Sequence, residues 1–127
     1  MEIYTKEIIL RDLNQIKVAE TSINSLEKEI NNLKRIYTYM SEDYKNSYEK
    51  LSTLCCDEIS KILKLKEAYY SALFQLDPIQ REVITLHYFN NRTIYQIAMV
   101  LNYSSSGINK ILCKAIKSLA RIMTEGV

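Results

Sequence analysis

The sequence predicts an all-α protein in which long N-terminal helices, paired as a coiled coil or folded as a helical hairpin, lead into a compact helix-turn-helix domain. Three observations predict it. Residues 1–75 contain no Gly and no Pro, so the strongest helix breakers are missing from a long stretch. Apolar residues recur through that stretch in heptads. From Thr93 to Leu119 the run T-I-Y-Q-I-A-M-V-L-N-Y-S-S-S-G-I-N-K-I-L-C-K-A-I-K-S-L sets small and apolar residues at the spacing that two short crossing helices need.

The heptads place Ile16, Ile23, Ile30, Tyr37, Tyr44 and Leu51 at a, and Ala19, Leu26, Leu33, Met40, Ser47 and Leu54 at d. One helix from Tyr4 to Tyr70 would be on the order of 100 Å long, well beyond ordinary globular helices. The polar run Ser41, Glu42, Asp43 offers an N-cap and an acidic first turn. A first helix to about Tyr39 and a second from about Asp43 to Gln75 are therefore expected. Heptads serve an antiparallel hairpin and a pairing between chains equally well. Six of the ten tyrosines, Tyr37, Tyr39, Tyr44, Tyr48, Tyr69 and Tyr70, lie around the break and the second helix. Their rings suit a helical interface with the hydroxyl at its wet edge.

Asp77 and Pro78 open the next helix as N-cap and first helical residue, and Gln80 is placed to complete a capping box. Asn90 and Asn91 form the following turn. Thr93 and Gln96 make a second capping box at the start of the helix-turn-helix. Ala98 is small where the two helices cross, and Ile97, Leu101, Ile108 and Ile111 supply the apolar contacts between them. Asn102 takes the turn position that needs a left-handed backbone, a conformation it tolerates better than most residues with a β-carbon. Ser104 caps the last helix, and Gly107 is expected to let its backbone approach a ligand closely.

Charge separates the two parts of the chain. The net charge is only +2, but residues 1–75 hold 11 basic and 12 acidic residues, whereas residues 76–127 hold 6 basic and 3 acidic. From Val83 to Thr124 there is no Asp or Glu. At 3.6 residues per turn Lys110, Lys114, Lys117 and Arg121 fall on one stripe of the last helix, with Ile108, Ile111, Leu112, Ala115, Leu119 and Ile122 opposite. One face packs and the other attracts anions, most simply DNA phosphates.

From Leu76 onward the sequence L-D-P-I-Q-R-E-V-I-T-L-H-Y-F-N-N-R-T-I-Y-Q-I-A-M-V-L-N-Y-S resembles region 4 of the sigma-70 family of bacterial transcription factors. Leu76, Pro78, Gln80, Arg81, Val83, Leu86, Tyr88 and Phe89 match its helix of the form L-x-P-x-Q-R-x-V-x-x-L-x-Y-F. Ile97, Ala98, Leu101, Ser104, Ile108, Ala115 and Leu119 match the helix-turn-helix that follows. The resemblance implies a DNA-binding domain over 76–127 behind a helical coiled-coil or oligomerisation region over 1–75. The whole layout, with L-N-Y-S-S-S-G-I-N-K-I, is similar to small phage regulators of late genes, the ArpU and RinA type. That resemblance implies a sequence-specific transcriptional regulator encoded by a phage or prophage of a low-GC Gram-positive bacterium. The chain departs from a complete sigma factor in having no segment with the length or aromatic pattern for gripping polymerase and melting a promoter. Ser105, Ser106 and Gly107 also replace the Glu and Arg types often found at the start of the sigma recognition helix.

With the helix at about 105–122 in a major groove of double-stranded DNA, Ser106, Asn109 and Lys110 would face base edges. Arg92, Thr93, Ser104, Ser105 and Lys114 would hold phosphates. The alternative is a protein-interaction module that docks on RNA polymerase or another regulator and oligomerises through its coiled coil. RNA polymerase and further copies of the chain are thus the partners considered beside DNA. There is no 18-residue apolar run to span a membrane and no signal-peptide pattern, so a cytoplasmic protein is expected. Cys55, Cys56 and Cys113 lack metal-ligand spacing and read as reduced, packed thiols. A single His87, no glycine before residue 107 and no carboxylate cluster in the basic part speak against an enzyme, a metal site or a cofactor.

Overall fold

The computed structural model describes residues 3–39 and 41–126, and every element among them is helical. Helix α1 spans Lys6–Ile36. Its N-cap Thr5 accepts a hydrogen bond from the Ile8 amide at 3.3 Å. Glu7 in the first turn and Lys34 and Arg35 in the last complement the helix dipole. One 3-10 turn, Tyr37–Tyr39, ends it. Helix α2, Glu42–Leu73, begins behind Ser41 with Glu42 and Asp43 in its first turn, although the Ser41 side chain makes no cap bond. Of the two arrangements that the heptads allow, the structure has the antiparallel hairpin within one chain. Tyr37 donates to Glu49 Oε1 at 3.1 Å near the tip, and Tyr69 donates to Asp12 Oδ2 at 2.7 Å near the base.

The break shifts the heptad by one residue. On α1 the expected positions, Ile16, Ala19, Ile23, Leu26, Ile30 and Leu33, all turn inward. On α2 the inward seam runs instead through Tyr48, Ser52, Cys55, Ile59, Ile62, Lys66, Tyr69 and Leu73. Of the positions that the unbroken register sends inward, Tyr44, Ser47 and Leu54 are exposed and Leu51 stays half-buried beside the new seam; Met40 lies outside the described residues. The tighter 3-10 turn and the extended Ser41 advance the helical phase, so a repeat carried across them no longer lands on the same face.

Helix α3, Pro78–Ile84, has Asp77 as its N-cap and Pro78 in its first turn. The capping box expected from Gln80 is not formed, because the Asp77 side chain makes no cap bond. Arg81 secures this corner instead. Its Nε donates to the Leu73 carbonyl at 3.0 Å and its guanidinium to those of Phe74 and Leu76 at 3.2 and 3.3 Å. It thereby adds a side-chain donor to carbonyls at and just beyond the end of α2, where helical partners run out. The helix widens to a π turn over Thr85–Phe89, closed by the Asn90 amide on the Thr85 carbonyl at 3.0 Å. That turn carries Tyr88 and Phe89 into the interior together. Helix α4, Ile94–Leu101, and helix α5, Ser105–Glu125, complete the chain.

Two joined clusters form the core. The larger gathers Ile9, Leu13 and Ile16 of α1, Tyr69, Ala72 and Leu73 of α2, the Ile84, Tyr88, Phe89 side of α3, and Ala115, Ile116, Leu119 and Ile122 of α5. The smaller packs Val83 against Ile97, Ala98 and Ile108, and Leu112 touches both. The first turns of α1 are thus built into the core beneath the helix-turn-helix. The Tyr4 amide donates to Thr124 Oγ1 at 2.9 Å, which ties the entry of α1 to the last turn of α5.

Candidate nucleic-acid interface

The local chemistry of the helix-turn-helix forms as the sequence requires. Gln96 N donates to Thr93 Oγ1 at 3.1 Å while Thr93 N donates to Gln96 Oε1 at 3.0 Å, a complete capping box. Asn102 ends α4 in the left-handed region at φ 58°, ψ 43°. Ser104 Oγ accepts from the Gly107 amide at 2.9 Å and starts α5. Ala98 is buried where α4 meets α5, in the cluster with Ile97 and Ile108.

These caps fix how α5 is presented. Ile108, Ala115, Ile116, Leu119 and Ile122 are buried on one side. On the other, Ser106, Asn109, Lys110, Cys113, Lys114 and Lys117 line one continuous open surface. Four of the proposed contact residues, Ser106, Asn109, Lys110 and Lys114, therefore share a face with no carboxylate in it. Ser104 and Ser105 stand at its N-terminal edge, both exposed. Arg92 and Thr93 sit apart at the start of α4, one helix of eight residues back from the turn, or about 12 Å. Arg121 continues the basic stripe but pairs with Glu125 at 3.6 Å.

The loop before α4 is held more firmly than its sequence suggests. Asn91 adopts φ 54°, a second left-handed asparagine. The Arg92 amide donates to the Leu86 carbonyl at 2.9 Å, and His87 Nδ1 donates to the Arg92 carbonyl at 2.8 Å. With both backbone groups engaged, Arg92 keeps its exposed side chain free to turn outward. Burial holds the His87 imidazole below its usual range and so keeps the ring neutral, while the bond to the Arg92 carbonyl pulls the other way.

Two expectations need correction. A β-carbon on Gly107 would meet Ser104 Oγ at 3.2 Å and the Tyr103 ring at 3.6 Å. The missing side chain therefore makes room for the cap and for Tyr103, rather than opening the outer face. Nor are all three thiols packed: Cys55 is buried, but Cys56 and Cys113 are exposed, and Cys113 lies inside the basic surface. Its place is readable in retrospect, three residues beyond Lys110 and one before Lys114.

Among the described residues no helix is long and apolar enough to cross a membrane. Residues 72–121 match the family model of sigma-70, region 4. No curated protein and no solved structure matches the chain. The matched segment begins at Ala72, in the last turn of α2, which agrees with the burial of Ala72 and Leu73 in the common core and with the grip of Arg81 on that helix end. From that match, and from the caps, turn and crossing that α4 and α5 display, this chain carries a sigma-70 region 4-like helix-turn-helix domain, a DNA-binding domain.

Proposed function

We propose that the chain is a sequence-specific transcriptional regulator that reads the major groove of double-stranded DNA with α5. The single observation that carries this reading is the acid-free face on which Ser106, Asn109, Lys110 and Lys114 lie side by side, opposite the packed face of the same helix. Ser106, Asn109 and Lys110 contact base edges: the Asn amide matches adenine, and the Lys ammonium donates to guanine. Lys114 and Arg92 neutralise phosphates, and the hydroxyls of Thr93, Ser104 and Ser105 donate to phosphate oxygens while still accepting their helix caps where they make them. The 1–75 region serves self-association, and the 76–127 region reads DNA. A regulatory domain of this kind calls for no catalytic group and no cofactor. The layout supports a late-gene regulator of the ArpU and RinA type, of phage or prophage origin and acting in the cytoplasm.

A second role is favoured by one observation. Tyr95, Met99 and Val100 on α4 and Tyr103 in the turn are exposed apolar side chains beside the proposed DNA face. They suit docking on RNA polymerase while α5 is on DNA. Selection of duplexes from a random pool by the full chain tests the main reading. Enrichment of a defined motif is expected; a pool that stays random, together with co-purification of polymerase, would leave the docking role alone.

A further inference from the structure

We propose that α1 carries a second strip of the DNA interface, in which Lys17 and Lys28 hold phosphates of the duplex flanking the site that α5 reads. The inference deepens the DNA-binding function proposed above and rests on that reading. The placement of Lys17 motivates it. Leu13 and Ile16 of α1 share the core cluster of Tyr88 and Phe89, which sets Lys17, the residue after Ile16, against the turn that precedes α4. The charge of its ammonium reaches the His87 ring and opposes protonation there. His87 in turn donates to the Arg92 carbonyl at 2.8 Å. A lysine from outside the matched residues 72–121 thus joins His87 and Arg92 at the loop before α4.

Within the chain these cations lack a counter-charge. Arg11 pairs with Asp12, Lys61 with Glu58 and Arg121 with Glu125, but Lys17, Lys28 and Arg92 form no ion pair with any described residue. Lys17 is also half-buried, and a charge partly withdrawn from water gains from an anion partner. The anion must come from outside the chain.

Helical phase carries the strip onward. At about 100° per residue, Asn24, Lys28 and Arg35 fall within about 20° of the line through Lys17, and all three are exposed. No Asp or Glu of α1 falls on that line. Arg35 donates to Asn32, a neutral partner, and so extends the positive charge toward the hairpin tip. Beyond Ile16 none of the described residues of α1 is fully buried, so this part of the hairpin leaves the core as an arm. Lys17 and Lys28 lie about 17 Å apart along it, the span of about five phosphates at 3.4 Å per step of one strand. The strip begins beside Arg92, where the backbone of the duplex is already held. That continuity selects DNA over an acidic protein surface.

Binding titrations of the full chain test the strip, on the selected duplex with long random flanks and on the same duplex trimmed to its core. The double variant Lys17→Gln, Lys28→Gln is expected to bind the long duplex at least tenfold more weakly. Its slope of log K against log salt should fall by about 1.8, the share of two phosphates. Lys28→Gln alone should leave binding to the trimmed duplex unchanged. Lys34→Gln removes the same charge from the same helix about 100° off the line, and should keep the wild-type affinity and slope. Amine acylation of the wild-type chain, read by mass spectrometry, should show Lys17 and Lys28 protected by the long duplex and Lys34 unprotected. A wild-type slope in the double variant, or Lys28 labelling that the duplex leaves unchanged, overturns the proposal while the α5 reading stands. A chain that binds neither duplex overturns that reading and this one with it. A double variant that binds DNA normally but no longer co-purifies with polymerase would assign the strip to a protein partner instead.

Discussion

The Tyr69 hydroxyl donates to Asp12 Oδ2 at 2.7 Å inside the core shared by α1, α2, α3 and α5. Tyr69 is fully buried and Asp12 is 6% exposed. Burial, and then the bond to the Asp12 carboxylate, pushes the Tyr69 phenol far above its usual range. The phenol therefore stays a neutral donor at physiological pH. Arg11, at 3.4 Å from Oδ1, gives the carboxylate its second partner from the surface.

Tyr69→Phe removes the donor and leaves a buried carboxylate short of a partner, at a cost of about 1.5–3 kcal/mol. Chemical denaturation is expected to show that loss. It should also show one transition for hairpin and helix-turn-helix together, because both contribute to the same cluster. Two separate transitions would mean that the halves are not energetically joined.

Arg81→Lys is expected to destabilise nearly as much as Arg81→Ala, by about 1–3 kcal/mol. A lysine cannot reproduce the fork that reaches the carbonyls of Leu73, Phe74 and Leu76. Thermal melts of the two variants decide this, and a lysine variant with wild-type stability would count against the clasp.

The turn at Asn102 makes an opposed pair of expectations. With φ at 58°, Asn102→Ala should cost about 1–2 kcal/mol, whereas Asn102→Gly should be neutral or stabilising. Equal melting points for the two variants would contradict a left-handed residue at the end of α4.

His87 gives the fold a pH dependence of definite sign. Its folded-state pKa lies below the unfolded value of about 6.5, so the unfolded chain binds the proton first as pH falls. Its contribution to stability is complete above that value and declines as pH drops through it toward the folded pKa. His87→Asn, which can keep a donor toward the Arg92 carbonyl, should flatten the difference in denaturation midpoint between pH 7.5 and pH 5.5. An unchanged slope would remove His87 as its source.

The helix-turn-helix was legible in the sequence because its determinants are local. A capping box, a left-handed asparagine, a serine cap and a 3.6-residue period each act within a few residues, and Thr93, Asn102, Ser104 and Ile108 behave accordingly. The hairpin was legible only as a pair of helices, since one heptad pattern serves two geometries. Its phase on α2 was not, because the turn that resets it has no periodic signal of its own. Arg81 was visible as a motif residue, but its carbonyl partners come from the preceding helix end. The Asp12–Tyr69 bond joins residues 57 positions apart, and nothing in the neighbourhood of either residue announces the other. The open surface of α5 followed from periodicity, apart from Cys113, whose exposure runs against the usual burial of cysteine.

Phosphate contacts should appear in the salt dependence. Removing one neutralising cation with Lys114→Ala should lower the slope of log K against log salt by about 0.9. Titrations between 50 and 200 mM salt measure it, and an unchanged slope would take Lys114 out of the phosphate set.

The most direct test of the α5 reading compares Lys110→Ala and Arg92→Ala on a selected duplex and on a random one. The expected result is that Lys110→Ala loses about 1–3 kcal/mol on the selected duplex and far less on the random one, while Arg92→Ala weakens both alike. Equal losses by both variants on both duplexes would contradict a recognition helix that reads bases through Lys110.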